Sequence, residues 1–536
     1  MTETNVLIVG GGPVGMTLAS ALAHFGVGSV LIERHPSTTQ HPKMDITNSR
    51  SMELFQRLGL ADLLRAVAVA DSQPFDVSWI TALNGHELHR FVYPGVGEFR
   101  KKMRERNDGT MPSEPPMRVS QVIIEPVLKQ AIDENPLVDV RFSTAFESFT
   151  EDADGVVATV RRGDGQVETI RCNWLIGCDG GGSKVREQLG IGLSGIPRVS
   201  RRFITHFRSD DRRLLQRWGA AWHYQSDRGT LVAQNDEDTW TLLTRFPEGM
   251  EFEDVDPAQL ITDFAGEPIE HEVLVCNAWW PNLLVADSYG AGRVLLAGDS
   301  VHQVIPTGGY GMNTGVGDAF DLGWKLAAII RGFGGAKLLD SYEQERRPVA
   351  LANCAGSARH NGVRVQIGGL YHEGLRDDAA AREQVARRIA ELGNRENESF
   401  GLEMGYCYHA SPVVLPSPTE VPSADPVTYV PTTLPGARLP SVYLADGSNV
   451  HDHLGPWFTL LCTAVCDTVG FVAAADDLGI PLDVRTIDVS GHEALYQGPA
   501  LLVRPDQHIA WRGAPGDASE AVAVLAHATG HRNPVT

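Results

Sequence analysis

Glycine-rich turns next to carboxylates recur along the chain, and such turns bring backbone N–H groups close to an anionic or flat ligand. The first is the run Gly10 to Gly15, with the spacing G-x-G-x-x-G around Pro13 and Val14. Gly10 permits the bend, Gly12 lets the backbone approach a pyrophosphate, and Gly15 allows a helix to pack closely on a strand. The run predicts dinucleotide binding, against the alternative of a turn without a ligand.

An acidic residue follows the second predicted strand, residues 29–32. Glu33 is in the position from which a carboxylate accepts a hydrogen bond from a ribose hydroxyl. Strand, glycine turn, helix, strand and acid therefore occur in the order of a βαβ nucleotide-binding unit. Arg34, Lys43 and Arg50 are candidate contacts to the same ligand, although basic residues are more often solvated surface.

A second glycine segment, residues 174–191, repeats this order with an apolar strand, Asp179, three glycines and a helix. The strand can deliver the Asp179 carboxylate to a cofactor. Alternatively, Asp179 caps the helix, a position that favours Asp.

The third segment, residues 294–331, reads as a buried strand, a loop and a long helix from about Met312. Its glycines leave the backbone open to a flat ligand. The first helical turn would direct free N–H groups and a positive dipole end at that ligand, and would stabilise a ring that becomes anionic when reduced. An ordinary strand–loop–helix unit is the alternative. The candidate residues here are Gly298, Asp299, Pro306, Gly309, Gly311, Met312 and Asn313.

Composition limits the class of protein. The chain has 536 residues, enough for two or three domains, and a formal net charge of −21 that disfavours nucleic acid and anionic membranes as partners. It contains neither an apolar run long enough for a bilayer nor the pattern of a signal peptide, so a cytoplasmic location is expected. The seven cysteines lack metal-binding spacing and predict reduced thiols and no metal site.

The rest of the chain suggests its domain organisation. Residues 93–116 read as a loop with a basic run that either attracts an anionic ligand or is plain surface, and a helix is predicted at 119–131 with Gln121 early in it. Short strands between acidic and proline turns predict an inserted antiparallel sheet. The predicted boundaries are 1–197 and 287–400 for a cofactor-binding domain, 198–286 for the inserted sheet, 401–440 for a proline-rich linker and 441–536 for a compact C-terminal domain.

Three motifs in this order resemble the class A FAD-dependent monooxygenases, the p-hydroxybenzoate and phenol hydroxylase group. They are GGGPVG at 10–15, CDG at 178–180, and GD at 298–299 followed by PTGGYGMN at 306–313. The C-terminal PGARL at 435–439 resembles the thioredoxin-like tail of aromatic-ring hydroxylases. The resemblance implies an α/β fold: a Rossmann-like FAD-binding domain, an inserted antiparallel-sheet substrate domain and a thioredoxin-like tail, which without C-x-x-C would be structural.

The resemblance also implies roles. Glu33 would hold the adenosine ribose, Gln121 the phosphate–ribitol region, Asp179 both FAD and the nicotinamide, and Asp299 the ribitol chain. Pro306 and the backbone of 308–313 would line the isoalloxazine ring.

The implied reaction is hydroxylation of a small aromatic substrate. NADPH or NADH would reduce non-covalently bound FAD, O2 would add to give the flavin C4a-hydroperoxide, and its distal oxygen would pass to an electron-rich ring in a closed, apolar pocket. A side chain that helps to deprotonate a phenol would assist. Candidates are His206, His223, Tyr224 and His302, each with a structural alternative.

Other functions share these motifs. A Baeyer–Villiger or epoxidising oxygenase acting on a polyketide-like substrate would use the same cofactor residues, and a non-catalytic FAD-binding module is a further alternative. A homodimer is the oligomeric state that we consider for this chain. Phe207, Trp222, Tyr224 and Trp240 of the inserted sheet are available to face the flavin, and because strands alternate sides we expect at most about half of them to do so.

Overall fold

The computed structural model of the chain describes residues 2–417, 419 and 425–531. Residues 1, 418, 420–424 and 532–536, which include parts of the predicted linker and of the predicted C-terminal domain, lie outside the described residues. None of the described helices is both long and apolar enough to span a membrane.

The first part of the chain mixes strands and helices. Its elements are β1 (Thr2–Val9), α1 (Pro13–His24), β2 (Ser29–Ile32), β3 (Ile46–Thr47), α2 (Ser49–Arg57), α3 (Ala61–Arg65), β4 (Val77–Ile80), β5 (Glu87–Phe91), α4 (Val96–Arg106), β6 (Met117–Arg118), α5 (Gln121–Asp133), β7 (Val138–Arg141), β8 (Thr144–Asp152), β9 (Gly155–Arg162), β10 (Val167–Gly177), α6 (Lys184–Leu189) and β11 (Leu193–Ile196).

The middle part is richer in strands. Its elements are β12 (Arg202–Arg208), α7 (Arg212–Leu215), β13 (His223–Ser226), β14 (Gly229–Ala233), β15 (Thr239–Arg245), α8 (Pro257–Ala265), β16 (Glu272–Trp279), β17 (Leu283–Ala286), β18 (Gly290–Ala291), β19 (Val294–Leu296) and β20 (His302–Gln303).

Long helices follow, and a small α/β unit ends the described chain. The elements are α9 (Tyr310–Ile330), α10 (Ala336–Gly368), α11 (Ala379–Leu392), α12 (Phe400–Met404), β21 (Phe458–Cys462), α13 (Val469–Leu478), β22 (Leu482–Thr486), β23 (Ala500–Val503), β24 (Ile509–Gly513) and α14 (Ala518–Ala528). Short 3-10 turns occur at Phe252–Asp254, Gly298–Ser300, Glu373–Arg376, Arg395–Asn397 and Val450–His453.

An eight-stranded main sheet positions the three glycine segments. Its order is β18-β19-β10-β1-β2-β7, with β9 pairing β10 and β8 pairing β9. The strands β2, β1, β10 and β19 run parallel, and the second half of β1 and all of β2 are buried. Since the carboxyl ends of parallel strands lie at one edge, the turns after β1, β10 and β19 meet there.

A seven-stranded sheet packs beside this edge in the order β16-β12-β15-β14-β13-β4-β5. It extends beyond the predicted range 198–286, because β4 and β5 come from residues 77–91. Strand β4 joins by pairing parallel to β13, a contact that no local pattern reveals. Helix α8 was also not predicted, although Asp256 caps its N-terminus through the N–H of Ala258.

The prediction of a loop at 93–116 was wrong for the centre of that range, which forms α4. Phe99 and Met103 give the helix a buried side, and Asn107 ends it in a left-handed conformation. Glu98 pairs with Lys102 across one helical turn, and Lys102 and Arg106 of the basic run line the cavity described below.

The C-terminal unit has a four-stranded sheet in the order β22-β21-β23-β24, with β21 parallel to β22 and antiparallel to β23. It shares the main hydrophobic core, because the ring centroid of Trp457 lies 4.5 Å from that of Phe25 and that of Phe458 lies 5.9 Å from that of Trp324. The predicted proline-rich linker likewise contains buried residues, including Tyr408.

Candidate active site

A cavity of about 1320 Å³ lies where the carboxyl-end edge of the main sheet faces the seven-stranded sheet. All three glycine segments contribute to the lining of this one cavity. The cavity therefore extends from the turn after β1 to the start of α9. The lining residues from these segments include Gly12, Pro13, Val14, Cys178, Gly180, Gly181, Asp299, Pro306, Gly308, Gly309, Gly311 and Met312.

The first turn fits the backbone of a dinucleotide. A Cβ at Gly10 would lie 2.3 Å from the carbonyl oxygen of Cys178, and one at Gly15 would lie 2.0 Å from that of Gly10, so both glycines are needed for packing. At Gly12 a Cβ would meet nothing within 4 Å, so the space beside the Gly12 backbone is open toward the cavity. Gly12 also begins α1 without a side-chain cap, so the free N–H groups of that end are available to a pyrophosphate.

The start of α9 is held against the start of α1 by a second set of glycines. A Cβ at Gly298 would lie 2.9 Å from Val14 Cγ2, and one at Gly315 would lie 2.5 Å from the same atom. Gly309, in the left-handed region at φ 66°, begins α9. A Cβ at Gly311 would meet nothing within 4 Å, so a flat ligand can reach the backbone there.

Asp299 is an exposed carboxylate in this lining, and its side chain accepts no hydrogen bond from the described residues. A carboxylate with free oxygens can accept hydrogen bonds from the hydroxyls of a ribitol chain. The open backbone at Gly12 and Gly311 together with this carboxylate fits FAD.

Lys43, Gln121 and Glu125 line the cavity on the side of α5. The Gln121 amide donates to Glu125 Oε1 at 2.7 Å, and Glu125 Oε2 accepts the N–H of Thr39 at 2.7 Å. Glu125 was not predicted, although its position one turn after Gln121 on the same face could have indicated it.

Besides Arg50 and the packed glycines Gly10, Gly15 and Gly298, four predicted cofactor residues lie outside the cavity lining, and their roles stay predictions. The Glu33 carboxylate accepts the N–H groups of Gly11 at 2.8 Å and His35 at 2.9 Å, and each oxygen keeps a further acceptor position. Arg34 is exposed. The Asn313 side chain bonds backbone groups of Ile46, Asn48 and Gly309, and so fixes the loop before α9.

Asp179 is the fourth of these residues. Its Oδ1 accepts the Ser183 hydroxyl at 2.5 Å and its Oδ2 accepts the N–H of Val185 at 3.3 Å. These bonds support the helix-capping alternative, while its neighbours Cys178 and Gly180 reach the cavity.

The prediction that Arg50 contacts a phosphate was wrong. Its guanidinium is buried and bonds Glu53 at 3.1 Å, the Tyr406 hydroxyl at 3.2 Å and the side chain of Gln507. Arg50 therefore joins α2 to the C-terminal unit. Sequence reasoning missed this because Tyr406 and Gln507 are hundreds of residues away along the chain.

Two predicted catalytic histidines do not line the cavity. His302 is fully buried and its Nε2 lies 2.9 Å from Asp318 Oδ2, a carboxylate that also binds Arg346. The Nδ1 of His206 lies 3.0 Å from Thr241 Oγ1 on the neighbouring strand. These contacts correct the prediction for His302 and favour the structural alternative for His206.

Side-chain alternation decides which aromatic residues of the seven-stranded sheet reach the cavity. Tyr224 is fully buried, its hydroxyl donates to the carbonyl of Gly219, and it packs with Phe207 and Trp240 in a separate core. The prediction of Tyr224 as a catalytic residue was therefore wrong. Trp222 does line the cavity, and its Nε1 donates to Asp45.

His223 is the remaining candidate, and it lines the cavity. Neither ring nitrogen has a hydrogen-bond partner among the residues that the structure describes. Burial, with the positive charges of Arg364 and Arg118, holds the pKa of His223 well below its usual value. The ring is therefore neutral near pH 7, with one nitrogen free to accept a hydrogen bond.

Strand register builds a continuous row on the cavity face of the sheet. Asn277 of β16 faces Ile204 of β12, which faces Leu243 of β15, followed by Thr230 of β14 and Gln225 of β13. All five line the cavity. The row presents apolar and amide side chains to a ligand.

Helix α10 and the segment after it close the cavity. Arg364 forms hydrogen bonds of 3.1, 3.0 and 2.7 Å with the Glu396 carboxylate. Glu403 also lines the cavity, and burial raises its pKa to about 8. A carboxyl group that is mostly protonated at neutral pH is a proton donor, and nothing in the local sequence signals it.

Comparison with known proteins agrees with this geometry. The family model described as FAD binding domain matches residues 3–357, and that described as aromatic-ring hydroxylase, C-terminal, matches residues 432–531. The FAD-dependent monooxygenase apdD of Emericella nidulans is 38% identical over 563 aligned residues, which cover 98% of this chain and 90% of that protein.

Two solved structures are similar over nearly the whole chain. RebC with bound 7-carboxy-K252c has a TM-score of 0.88 and 33% identity, covering 99% of this chain and 100% of that one. Aklavinone-11 hydroxylase in complex with FAD and aklavinone has a TM-score of 0.81 and 28% identity, covering 99% of each chain. The fold, the cavity and these matches show that the chain belongs to the class A FAD-dependent aromatic-ring monooxygenases.

Proposed function

We propose that this FAD-dependent monooxygenase hydroxylates a phenolic or related aromatic substrate, with NADPH or NADH as the electron donor and O2 as the oxygen donor. The observation that carries the proposal is the continuity of the cavity. It runs from the open glycine backbone at Gly12 and Gly311 to the row of side chains on the seven-stranded sheet. A cofactor and a second, flat molecule can therefore lie side by side in it.

When bound and reduced, FAD would supply electrons to O2, and one oxygen atom of O2 would pass to the substrate while the other leaves as water. The chain's own residues bind and orient the two molecules. Gly12 and the N-terminus of α1 bind the pyrophosphate, and Asp299 orients the ribitol chain. The apolar side chains of Ile204, Leu243 and Trp222 pack on the substrate ring and exclude water, which protects reactive oxygen species from side reactions.

We assign His223 as the residue that orients a substrate hydroxyl. Its neutral imidazole accepts a hydrogen bond from a phenol, which draws electron density into the ring and favours attack by the ring carbon. Because its pKa is held low, the imidazole acts as a hydrogen-bond acceptor and does not carry the proton away at neutral pH. His223→Gln should therefore lower turnover of phenols and leave FAD content unchanged.

The proposal is tested by giving the purified holoenzyme a reductant and a candidate aromatic substrate in the presence of O2. Oxidation of NADPH and of NADH is followed with a panel of mono- and polycyclic phenols, and each product is identified by NMR. A new hydroxyl group on an intact aromatic ring is expected. Ring expansion would favour a Baeyer–Villiger reaction, and flavin-bound protein that oxidises neither reductant with any phenol would favour the binding-module alternative.

A further inference from the structure

Two arginines lie directly opposite each other on the cavity face of the seven-stranded sheet. Arg202 of β12 and Arg245 of β15 are register partners in the antiparallel pair, and both line the cavity. Like charges in directly opposed positions repel each other and destabilise a sheet. Burial, Arg245 and Arg364 together lower the pKa of Arg202, which shows that the three positive charges act on one another.

Among the residues that the structure describes, a carboxylate pairs with only one of these three arginines. Arg364 is paired with Glu396. Arg202 donates through its Nε to the Ser200 hydroxyl at 3.0 Å, an uncharged partner. Among the described residues, no carboxylate oxygen lies within 4.0 Å of the Arg202 or Arg245 nitrogens.

Two carboxylates line a small recess beside Arg245, and that of Asp227 also lines the cavity. Asp227 and Asp263 line this recess together with Arg245, beyond ion-pair distance of its guanidinium. Both arginines therefore keep charged N–H donors available on the cavity face, with Arg202 half-buried and Arg245 exposed. Their repulsion is relieved when an anion binds between them.

We propose that Arg202 and Arg245 bind a carboxylate of the substrate, so that the enzyme acts on an aromatic acid. This inference rests on the proposed function and names its substrate class. Guanidinium groups present paired N–H donors that match the two oxygens of a carboxylate, and such charged hydrogen bonds are stronger than neutral ones.

The surroundings of the pair suit the rest of such a molecule. Trp279 of β16 is the register partner of Arg202 on its other side and also lines the cavity. Two residues further along the same strands, Ile204 and Leu243 form the next row of this face. An aromatic ring on this apolar row would place its carboxylate at the arginines.

A phosphate group of the nicotinamide cofactor is the other anion that could use this pair. Binding to the oxidised holoenzyme without any reductant separates the two sources. The probes are a hydroxynaphthoate and the matching, uncharged hydroxynaphthamide, and the readout is the change in flavin absorbance on titration. The KM for NADPH is measured separately for each variant.

The acid should bind wild type at least about tenfold more tightly than the amide, because hydrogen bonds between charged groups exceed neutral ones by this order. Arg202→Gln and Arg245→Gln should each weaken binding of the acid by about tenfold and leave that of the amide unchanged. Arg245→Lys keeps the charge and should retain most of the acid's affinity. Arg213→Gln, at an exposed position on α7, is the matched control and should change neither.

Equal affinity of wild type for acid and amide, or no binding of either, would overturn the inference. So would variants that raise the KM for NADPH while binding the acid as before, since the pair would then serve the reductant. The proposed function fails separately: it fails if the acid binds as expected but no aromatic compound, charged or neutral, is hydroxylated.

Discussion

At the residue scale, glycine spacing and motif resemblance identified residues from distant parts of the chain that the structure brings to one cavity. Gly12, Gly311 and Asp299 line the cavity because glycine turns after parallel strands have a fixed geometry. The same reasoning could not choose among the histidines. Whether His223 or His302 reaches the cavity depends on strand register and on Asp318, a partner sixteen positions along the chain from His302.

Replacing Asp299 tests the most specific of these residue roles. Asp299→Ala should weaken FAD binding by about tenfold or more, because charge-assisted hydrogen bonds contribute roughly 1.5–3 kcal/mol each. Fluorescence titration of the apoprotein with FAD measures the change. Asp287→Ala, outside the cavity lining, is the control, and an unchanged FAD affinity in Asp299→Ala would remove the carboxylate from the site.

Glu403 gives the stability a predictable pH dependence. Since burial raises its pKa from 4.5 to about 8, the folded chain holds this proton more tightly than the unfolded chain. Its contribution to the free energy of unfolding is complete below about pH 4.5 and is lost as the pH rises through 8, at up to about 1.4 kcal/mol per pKa unit.

Glu403→Gln removes this ionisable group. The Tm of the variant should exceed that of wild type by more at about pH 8.5 than at about pH 5, two values on either side of the raised pKa. Differential scanning calorimetry of the holoprotein checks the difference. Glu105→Gln, at an exposed position on α4, should show no such trend. A Tm difference between Glu403→Gln and wild type that is constant with pH would show that this carboxyl group is not buried.

At the element scale, strands and helices with strong periodicity were predictable, whereas their partners were not. Strand β2 was predicted at its observed bounds, but β4 was not assigned to the seven-stranded sheet because it pairs with β13, far along the chain. The tail was expected to be a separate unit behind a linker. Instead, Glu53 of α2 forms a fully buried ion pair with Arg438, within the segment predicted as linker.

This ion pair makes the tail part of one stability unit. Arg438→Met removes one of the two buried cations that pair with Glu53 and leaves Arg50 as the other, so it should cost about 3 kcal/mol, the low end for breaking a buried ion pair. Arg485→Met removes a half-exposed pair with Asp483 on β22 and should cost no more than about 1 kcal/mol. Calorimetry should show one lowered transition for Arg438→Met; a loss no larger than that of Arg485→Met would mean that the tail does not depend on this contact.

At the scale of the whole molecule, the sheet edge and the seven-stranded sheet together enclose one reaction space. The glycine segments alone predicted a dinucleotide-binding site, and the resemblance of the three ordered motifs to a known family predicted a FAD-dependent monooxygenase, which the family match confirms. The substrate side could not be predicted in the same way. Its lining comes from β4, from β12 to β16, from α10 and from the segment around Glu396, and only the fold brings these together.

Turnover under isotopically labelled O2 tests the central claim most directly. The holoenzyme is supplied with NADPH and an aromatic substrate from the phenol panel that it hydroxylates, and the product is examined by mass spectrometry and NMR. One labelled oxygen atom on an intact aromatic ring is expected for each product molecule, with none when only the water is labelled. Unlabelled product formed under labelled O2 would contradict a monooxygenase reaction in this cavity.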